Sequence, residues 1–284
     1  MTDALLRVVR EGLTTYDLSR PYLPGMPQSP NHPPFQQDTP RWHGDAVRED
    51  GGSSANDLLQ LGTHVGTHID AVGHVSQDGR LHGGAPADRA SSEGLPDHGI
   101  HTFAPGLVRG ILLDVPAALG VEGCAAGEEI GPAELDAALR LSGIDPEPGD
   151  VLLVRSGWGA RWDEGDGYVG FASGVPGVAE AGARWLAGHR PRAVGADTIA
   201  FERLEPGRGH ALLPAHRVLL VEEGINIIET LDLEALARDG VREFTLVLAH
   251  LPLVGATGAP VRPLALVAAQ GGEARTDGQA TSKR

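Results

Sequence analysis

One short stretch, residues 62–74 with the sequence GTHVGTHIDAVGH, constrains this chain more than any other. It carries His64, His68, Asp70 and His74 within a span of eleven residues. Neutral imidazoles together with a carboxylate are ligands that Zn²⁺ and Mn²⁺ prefer, and three protein ligands with open positions left over are typical of a catalytic site. The stretch therefore predicts a catalytic metal site.

The spacing of these side chains also restricts the backbone. In an α-helix, Asp70 would lie about 240° around the axis from His64, on the wrong side for a shared ion. In an extended chain the even positions share one face, whereas the odd positions turn into a core. A straight strand would still hold His64 and His68 about 13 Å apart, so we expect Gly66 to bend the chain or to adopt φ > 0. The alternative is a chance cluster in a solvated loop, since the chain carries 12 histidines.

The charge of the chain argues against some classes of protein. Lys and Arg number 23 against 38 Asp and Glu, which gives a formal net charge of −15 at pH 7. Nucleic acid and anionic membranes are therefore not expected as partners, and a small-molecule substrate is. The single cysteine, Cys124, rules out an intramolecular disulfide, and the sequence has no signal-like or membrane-spanning apolar run. These features predict a cytoplasmic protein.

The second half of the chain alternates between strand and helix patterns. Strands are predicted over 107–115, 150–158, 192–197, 225–229, 241–253 and 261–269, and helices over 131–143, 178–188, 214–224 and 231–240. Such alternation is typical of the α/β class. The proline-rich residues 15–35 predict extended chain and turns of the kind that often form the lip of a site.

Two further segments lack periodicity. Residues 41–57 are polar and rich in glycine, and they are predicted to form a loop. Residues 79–105 form a segment of over twenty residues, which predicts a lid or a subunit contact. Its three histidines, His82, His98 and His101, are expected at the surface.

The stretch from His64 to His74 resembles the H-x-G-T-H-x-D-x-P-x-H signature of the metal-dependent cyclase family, which includes bacterial kynurenine formamidase and isatin hydrolase. Val72 stands where that signature has proline. Similar stretches continue to 257–266, so the resemblance runs from about Tyr16 to about Leu266. It implies a swivelling β/β/α fold of the α/β class, with a central mixed sheet or barrel and outer helices. We expect one domain over residues 1–270, followed by a polar, disordered tail at 271–284.

The resemblance also implies roles for individual residues in the motif. His64, His68 and Asp70 would bind the metal, and His74 would be the general acid/base. In family members with two ions, a further histidine and glutamate complete a second position together with the bridging aspartate.

In this chain the matching pair is His216 and Glu229, which lie thirteen residues apart. Without the resemblance, a helical histidine is more often a core or surface group, and a glutamate at a strand end is more often solvated. The neighbouring Glu222 and Glu223 are expected to face water. His210 is a candidate for a proton relay or for a contact that orients a ligand.

Five more side chains are candidates for contact with the substrate. Phe35, Trp42, Trp158 and Trp162 would line an aromatic pocket, although aromatic residues in such a chain also serve simply to fill a core. Arg262 would meet a substrate carboxylate or, equally well, form a structural ion pair.

These features predict a metal-dependent hydrolase of a C–N bond in a small amide, aryl formamide or lactam. One or two ions of Mn²⁺ or Zn²⁺ would polarise the carbonyl and lower the pKa of bound water toward ~7. His74 would take the proton from the water and deliver it to the leaving nitrogen. The alternatives are a cyclase or dehydratase in aromatic natural-product biosynthesis and a non-catalytic metal- or ligand-binding protein. A homodimer or homotetramer is expected from the resemblance.

Overall fold

A mixed β-sheet occupies the centre of the computed structural model, which describes residues 4–87 and 94–269. The strands in these residues are β1 (Leu13–Asp17), β2 (Gln36–Arg41), β3 (Asn56–Gln60), β4 (His68–Asp70), β5 (Gly106–Asp114), β6 (Glu129–Ile130), β7 (Val151–Arg155), β8 (Gly177–Val178), β9 (Ala193–Ala196), β10 (Asn226–Glu229), β11 (Glu243–Leu248), β12 (Gly258–Pro260) and β13 (Leu264–Ala268).

Helices lie between the strands. They are α1 (Ala4–Glu11), α2 (Val115–Leu119), α3 (Pro132–Ser142), α4 (Asp166–Val169), α5 (Glu180–Gly188), α6 (Pro214–His216) and α7 (Glu234–Arg238), with 3₁₀ turns at His82–Gly84, Ile100–Thr102 and Trp158–Glu164. After α6 the chain continues as a π-helix over Arg217–Glu222. A π-helix is rare and is found frequently beside functional sites.

Within the described residues, nine strands form the central sheet in the order β1-β13-β11-β5-β7-β9-β10-β4-β12. β5, β7, β9 and β10 run parallel to one another, and the remaining neighbours are antiparallel. The parallel strands are joined through helices, because a parallel pair needs a long crossover connection. The predicted α/β class, with a central mixed sheet and outer helices, is confirmed.

The sheet is buried on both faces. In β7, Leu152 and Val154 pack into the apolar layer beneath α3 and α5, whereas Val151 and Leu153 pack into the layer on the other face. All four side chains are at most 1% exposed. A strand that is covered on both sides is apolar at successive positions, which explains why this segment was predicted from its continuous apolar run.

The signals at the ends of α3 act as the sequence predicts. Pro132 lies in the first turn, where backbone N–H groups have no acceptor within the helix. The N–H that proline lacks therefore costs the helix no hydrogen bond. Glu134 Oε2 accepts the N–H of Gly131 at 2.9 Å, and Gly143 ends the helix with a φ of +69°. The helix predicted over 131–143 is confirmed.

The prediction of a loop over 41–57 is wrong at both ends. β2 pairs with β3 in an antiparallel hairpin, which includes Arg41 and Asn56. Every residue of the two strands is exposed, including Leu58 at 58% and Leu59 at 55%. Because neither face is buried, the hairpin has no alternation of apolar and polar residues that would identify it.

The described parts of the segment 79–105 are tied to the rest of the fold by main-chain hydrogen bonds. The backbone N–H of Leu95 donates to the carbonyl oxygen of Gly255 (2.9 Å), and that of Ile100 donates to the carbonyl oxygen of Ala256 (2.8 Å). His82, His98 and His101, which were expected at the surface, are partly buried, and each has a ring nitrogen bonded to a carbonyl oxygen. The role as a lid or subunit contact stays a prediction. Residues 88–93 and the tail at 271–284 lie outside the described residues.

Cys124 is a buried residue with an unreactive thiol. It is 7% exposed, and burial raises the pKa of its thiol to about 12. No helix within residues 4–87 and 94–269 combines the length and the apolar content needed to cross a membrane.

Candidate metal centre

Strand pairing brings the central motif next to a distant part of the chain. β4 lies between β10 and β12 and is antiparallel to both. In this register His68 is opposite Glu229, and Asp70 is opposite Ile227. His216, at the end of α6, contributes a third segment to the same cluster. Side chains from three separate segments therefore meet at one site.

Gly66 turns the chain between His64 and His68, as the spacing predicts. Its φ is +61°, in the left-handed region that favours glycine. Residues 63–67 form a turn, so β4 begins at His68 and the extended chain predicted back to His64 is absent. A Cβ at position 66 would lie 2.7 Å from Cζ of Tyr22, whose hydroxyl shares its proton between the carbonyl oxygens of the two residues that flank Gly66.

We expect Gly66→Ala to lower the free energy of unfolding by about 2–5 kcal/mol, because two unfavourable effects add. Alanine would have to adopt the left-handed backbone conformation, and its Cβ would also overpack the contact with Tyr22. Urea unfolding monitored by circular dichroism measures the loss. Gly25→Ala is the matched control: Gly25 has a φ of +83°, but a Cβ there would have nothing within 4 Å of it. Equal losses in the two variants would contradict the contribution of the Tyr22 contact.

Asp70 lies at the centre of the cluster and is 1% exposed. Its Oδ1 is 2.7 Å from His64 Nδ1 and 3.4 Å from His68 Nε2. Its Oδ2 is 3.6 Å from His216 Nε2. Glu229 completes the ring of donors, with Oε2 3.4 Å from His68 Nε2 and Oε1 3.1 Å from His216 Nε2.

Two overlapping groups of side chains in the described residues could hold a metal ion. They are His64, Asp70 and His74, and Asp70, His216 and Glu229. Asp70 belongs to both groups, so its two oxygens could serve two ions or one. The structure thus brings together all six residues predicted for metal binding and proton transfer, although it groups His74 with two predicted ligands. Their individual roles stay predictions.

The spacing of the donor atoms fits a divalent cation. Four atoms bound at ~2.1 Å with tetrahedral angles would lie ~3.4 Å apart. His68 Nε2 lies 3.4 Å from both Asp70 Oδ1 and Glu229 Oε2, and His216 Nε2 lies 3.6 Å from Asp70 Oδ2 and 3.1 Å from Glu229 Oε1, so each imidazole has ligand-like separations to its own pair of carboxylate oxygens. His68 Nε2 and Asp70 Oδ2 are also buried without a hydrogen-bond partner among the described residues. Such atoms destabilise a fold unless something binds them, and a cation would.

Hydrogen bonds hold the two imidazoles in the orientation that a ligand needs. His68 Nδ1 is 2.8 Å from the carbonyl oxygen of Gly66, and so Nδ1 carries the proton and Nε2 presents a lone pair toward Asp70. His216 Nδ1 is 2.6 Å from Glu202 Oε1. The Glu202 carboxylate is 1% exposed and also accepts the backbone N–H groups of Ala215 and His216, both at 3.0 Å. Glu202 therefore fixes both the ring and the backbone of His216.

We expect Glu202→Gln to weaken metal binding by about 10- to 100-fold, because an amide turns an N–H donor toward groups that themselves donate. Competition with a chelator measures the affinity. Glu129→Gln serves as the control, since Glu129 is an exposed residue that pairs with Arg203. An unchanged affinity in Glu202→Gln would show that His216 needs no such support.

Burial and neighbouring charges act in opposite directions on the titratable groups. Burial by itself disfavours the charge of Asp70, but His74 and His64, with the hydrogen bonds from His64 and His68, outweigh it and hold the pKa of the Asp70 carboxyl well below its usual value. Burial likewise opposes the charge of His216, but Glu202 and Glu229 raise its pKa well above the ordinary value. The buried carboxylates thus stabilise positive charge within the cluster, as a cation site requires.

Three imidazoles stack beside this cluster. The rings of His64 and His74 have centroids 3.7 Å apart and planes 23° apart, and His32 also stacks on His64, at 5.3 Å. His64 has both nitrogens engaged, with Nδ1 at Asp70 and Nε2 at Thr257 Oγ1 (2.8 Å). Burial lowers the pKa of His74 to about 3, so this ring is neutral near pH 7.

Three residues that contact the predicted site residues were not identified from the sequence. His32 lies in the proline-rich segment that was predicted to form the lip of a site, so the sequence indicated this segment but not the residue itself. Glu202 and Thr257 carry no comparable signal, because the contacts of Glu202 with His216 and of Thr257 with His64 arise only through the tertiary fold.

The five candidates for substrate contact are not brought together. Phe35, Trp158 and Trp162 are 4–8% exposed and belong to one apolar cluster, where they fill the core. Trp42 follows β2 and is 61% exposed. Arg262 forms an ion pair with Asp17 at 2.7 Å, which is the structural alternative considered for it.

Known proteins share this architecture. A family model described as putative cyclase matches residues 16–203. The kynurenine formamidase of Geobacillus thermodenitrificans (strain NG80-2) is 26% identical over 246 residues, 87% of this chain and 94% of that protein. A solved structure described as a novel cyclase superposes with a TM-score of 0.80 at 27% identity, over 93% of each chain. Isatin hydrolase A from Ralstonia solanacearum superposes with a TM-score of 0.72 at 21% identity, over 94% of this chain and 98% of that one.

Proposed function

The chain belongs to the putative cyclase family, and we propose that it is a metal-dependent hydrolase of a C–N bond in a small amide, aryl formamide or lactam. The observation that carries this proposal is the convergence of buried nitrogen and oxygen donors around Asp70 at ligand spacing. The similarity to a kynurenine formamidase supports it, because that protein's name describes hydrolysis of a formamide.

Different side chains of the site would bind the metal, position its ligands and transfer protons during hydrolysis. When bound, a divalent cation supplies Lewis-acid polarisation of the carbonyl and a lower pKa for the attacking water. His64, His68, Asp70, His216 and Glu229 would hold it, and Glu202 would keep His216 in place. His74, stacked on His64, accepts a proton from the water and donates it to the leaving nitrogen. The water oxygen forms the new bond to carbon, and the C–N bond breaks.

The donor set favours Zn²⁺ or Mn²⁺, since both ions accept imidazole nitrogen and carboxylate oxygen. Because Asp70 belongs to both candidate groups, either one or two ions fit this proposal. A homodimer or homotetramer, acting in the cytoplasm on a small molecule, stays a prediction.

The proposal is tested with protein purified without chelators. We expect bound Zn²⁺ or Mn²⁺ by elemental analysis, and metal-dependent turnover in a screen of formamides, lactams and cyclic imides. In ¹⁸O-labelled water, hydrolysis places the label in the released acid. A converted substrate without label would instead favour cyclase or dehydratase chemistry, and metal binding without any turnover would favour a binding protein.

A further inference from the structure

The strand that carries two of the proposed metal ligands is only three residues long. β4 spans His68–Asp70 and pairs with β10, so that His68 is opposite Glu229. This pairing sets the separation between the donor atoms of the two strands, and a slip of one residue would turn the side chains to the other face. A ladder of this length makes few main-chain hydrogen bonds. The geometry of the metal centre therefore depends on what holds the two ends of β4.

Side-chain hydrogen bonds hold both ends of β4. At its end, Asn226 Nδ2 donates to the carbonyl oxygen of Asp70 at 2.6 Å. At its start, Thr67 directly precedes the strand and is fully buried, and its hydroxyl donates to the carbonyl oxygen of Thr230 at 2.7 Å. The same Oγ1 accepts the backbone N–H of Arg20 at 2.8 Å. The hydroxyl of Thr67 thus joins the start of β4 to two distant segments.

Thr230 has a strained backbone and directly follows Glu229. Its φ is +59°, in the left-handed region that a β-branched residue rarely adopts. Such a conformation persists only where the surrounding structure fixes it. Two hydrogen bonds do so here, because the carbonyl oxygen of Thr230 accepts the hydroxyl of Thr67 and its N–H donates to the carbonyl oxygen of Thr198 at 3.0 Å. Thr67 therefore acts on the backbone beside His68 and on the backbone beside Glu229 at once.

Arg20 ties the residues after Thr230 to the same point. Its guanidinium forms an ion pair with Asp232 at 2.9 Å, and Nη2 donates to the carbonyl oxygen of Leu231 at 3.4 Å. Because the backbone N–H of Arg20 donates to Thr67, the chain that leaves β10 is joined to the start of β4 both directly and through Arg20.

We propose that Thr67 is a positioning residue, whose hydroxyl ties the start of β4 to the left-handed Thr230 and so holds His68 and Glu229 at the separation at which both bind one cation. The inference rests on the metal site of the proposed function. Thr67 contacts neither the cation nor the substrate in this role. It acts through the two ligands whose backbone it fixes, as groups that orient metal ligands do.

Thr67→Val removes the hydroxyl and keeps the branched shape of the side chain. In competition between the metal-free protein and a chelator for Zn²⁺, we expect this variant to bind about 10-fold more weakly than the wild type, the lower end of the effect of groups that orient ligands. Thr67→Ser keeps the hydroxyl and should stay within about 3-fold of the wild type. Thr67→Cys, which keeps a weak donor, is a milder variant for the case that valine prevents folding, and it should lose affinity in the same direction.

Ser156→Ala is the matched control, because Ser156 is also a buried hydroxyl that both donates and accepts. Its Oγ donates to Asp197 Oδ1 at 2.7 Å and accepts the backbone N–H of Trp158 at 3.1 Å. Ser156 follows β7 and belongs to neither candidate metal group. We expect Ser156→Ala to lose stability in urea unfolding and to keep its affinity for Zn²⁺. Equal losses of affinity in Ser156→Ala and Thr67→Val would show that affinity only follows stability, and would overturn the inference.

Amide hydrogen exchange at residues 68–70 of the metal-free protein gives a readout that needs neither metal nor turnover. We expect exchange about 10-fold faster in Thr67→Val than in the wild type, because loss of a buried hydrogen bond favours local opening of β4. An unchanged exchange rate or an unchanged affinity in Thr67→Val overturns the inference, and so does a Thr67→Ser variant that binds as weakly as Thr67→Val. Failure of the proposed function gives a different result: the wild type itself binds no Zn²⁺, and the exchange rates then decide whether Thr67 holds β4.

Discussion

Asp70→Asn is expected to remove the metal and the activity together. Metal affinity and activity should each fall by more than the ~10- to 100-fold expected when a group that only orients a ligand is lost. The carboxylate is 1% exposed, belongs to both candidate metal groups, and has an Oδ2 without a hydrogen-bond partner among the described residues. An amide at this position supplies one oxygen where the site uses two, and it carries no charge to balance a cation.

Elemental analysis and kcat/KM measure the two losses. Asp150→Asn is a suitable control, because Asp150 is also a buried aspartate, 6% exposed. Asp150 lies directly before β7, and its carboxylate accepts the backbone N–H of Glu147. The control variant should lose some stability and keep its metal. If Asp70→Asn retained a full complement of metal, the assignment of the site to this cluster would be wrong.

His74→Ala is expected to reduce kcat by about 10²- to 10⁴-fold while the protein keeps its metal, because general acid–base catalysis contributes in this range. The metal is expected to stay because the His74 ring, which stacks on His64 with centroids 3.7 Å apart, does not belong to the candidate metal group of Asp70, His216 and Glu229. Steady-state kinetics and elemental analysis on the same preparation test this expectation.

The result for His74 also distinguishes two roles. Since His74, His64 and Asp70 form one of the two candidate metal groups, loss of metal along with activity would identify His74 as a ligand instead. His32→Ala controls for the loss of a stacked ring, as His32 stacks on the same histidine at 5.3 Å. That variant should keep most of its activity.

Much of the fold could be predicted because local patterns encode local geometry. The apolar run of β7 and the capping signals of α3 each specify their own segment. Gly66 was predicted to bend the chain because a straight strand would separate its two flanking histidines, and its φ of +61° shows the bend. The hairpin of β2 and β3 escaped prediction, since strands that are exposed on both faces carry no periodic signal.

By itself, the sequence determined the α/β class, the cluster of metal-ligand residues between His64 and His74, and the glycine that brings them together. Only the tertiary structure decided that His68 faces Glu229 across a strand pair and that Glu202 holds His216. The physical reason is that periodicity and turn chemistry act over a few residues, whereas these contacts depend on strand register and on packing between distant segments.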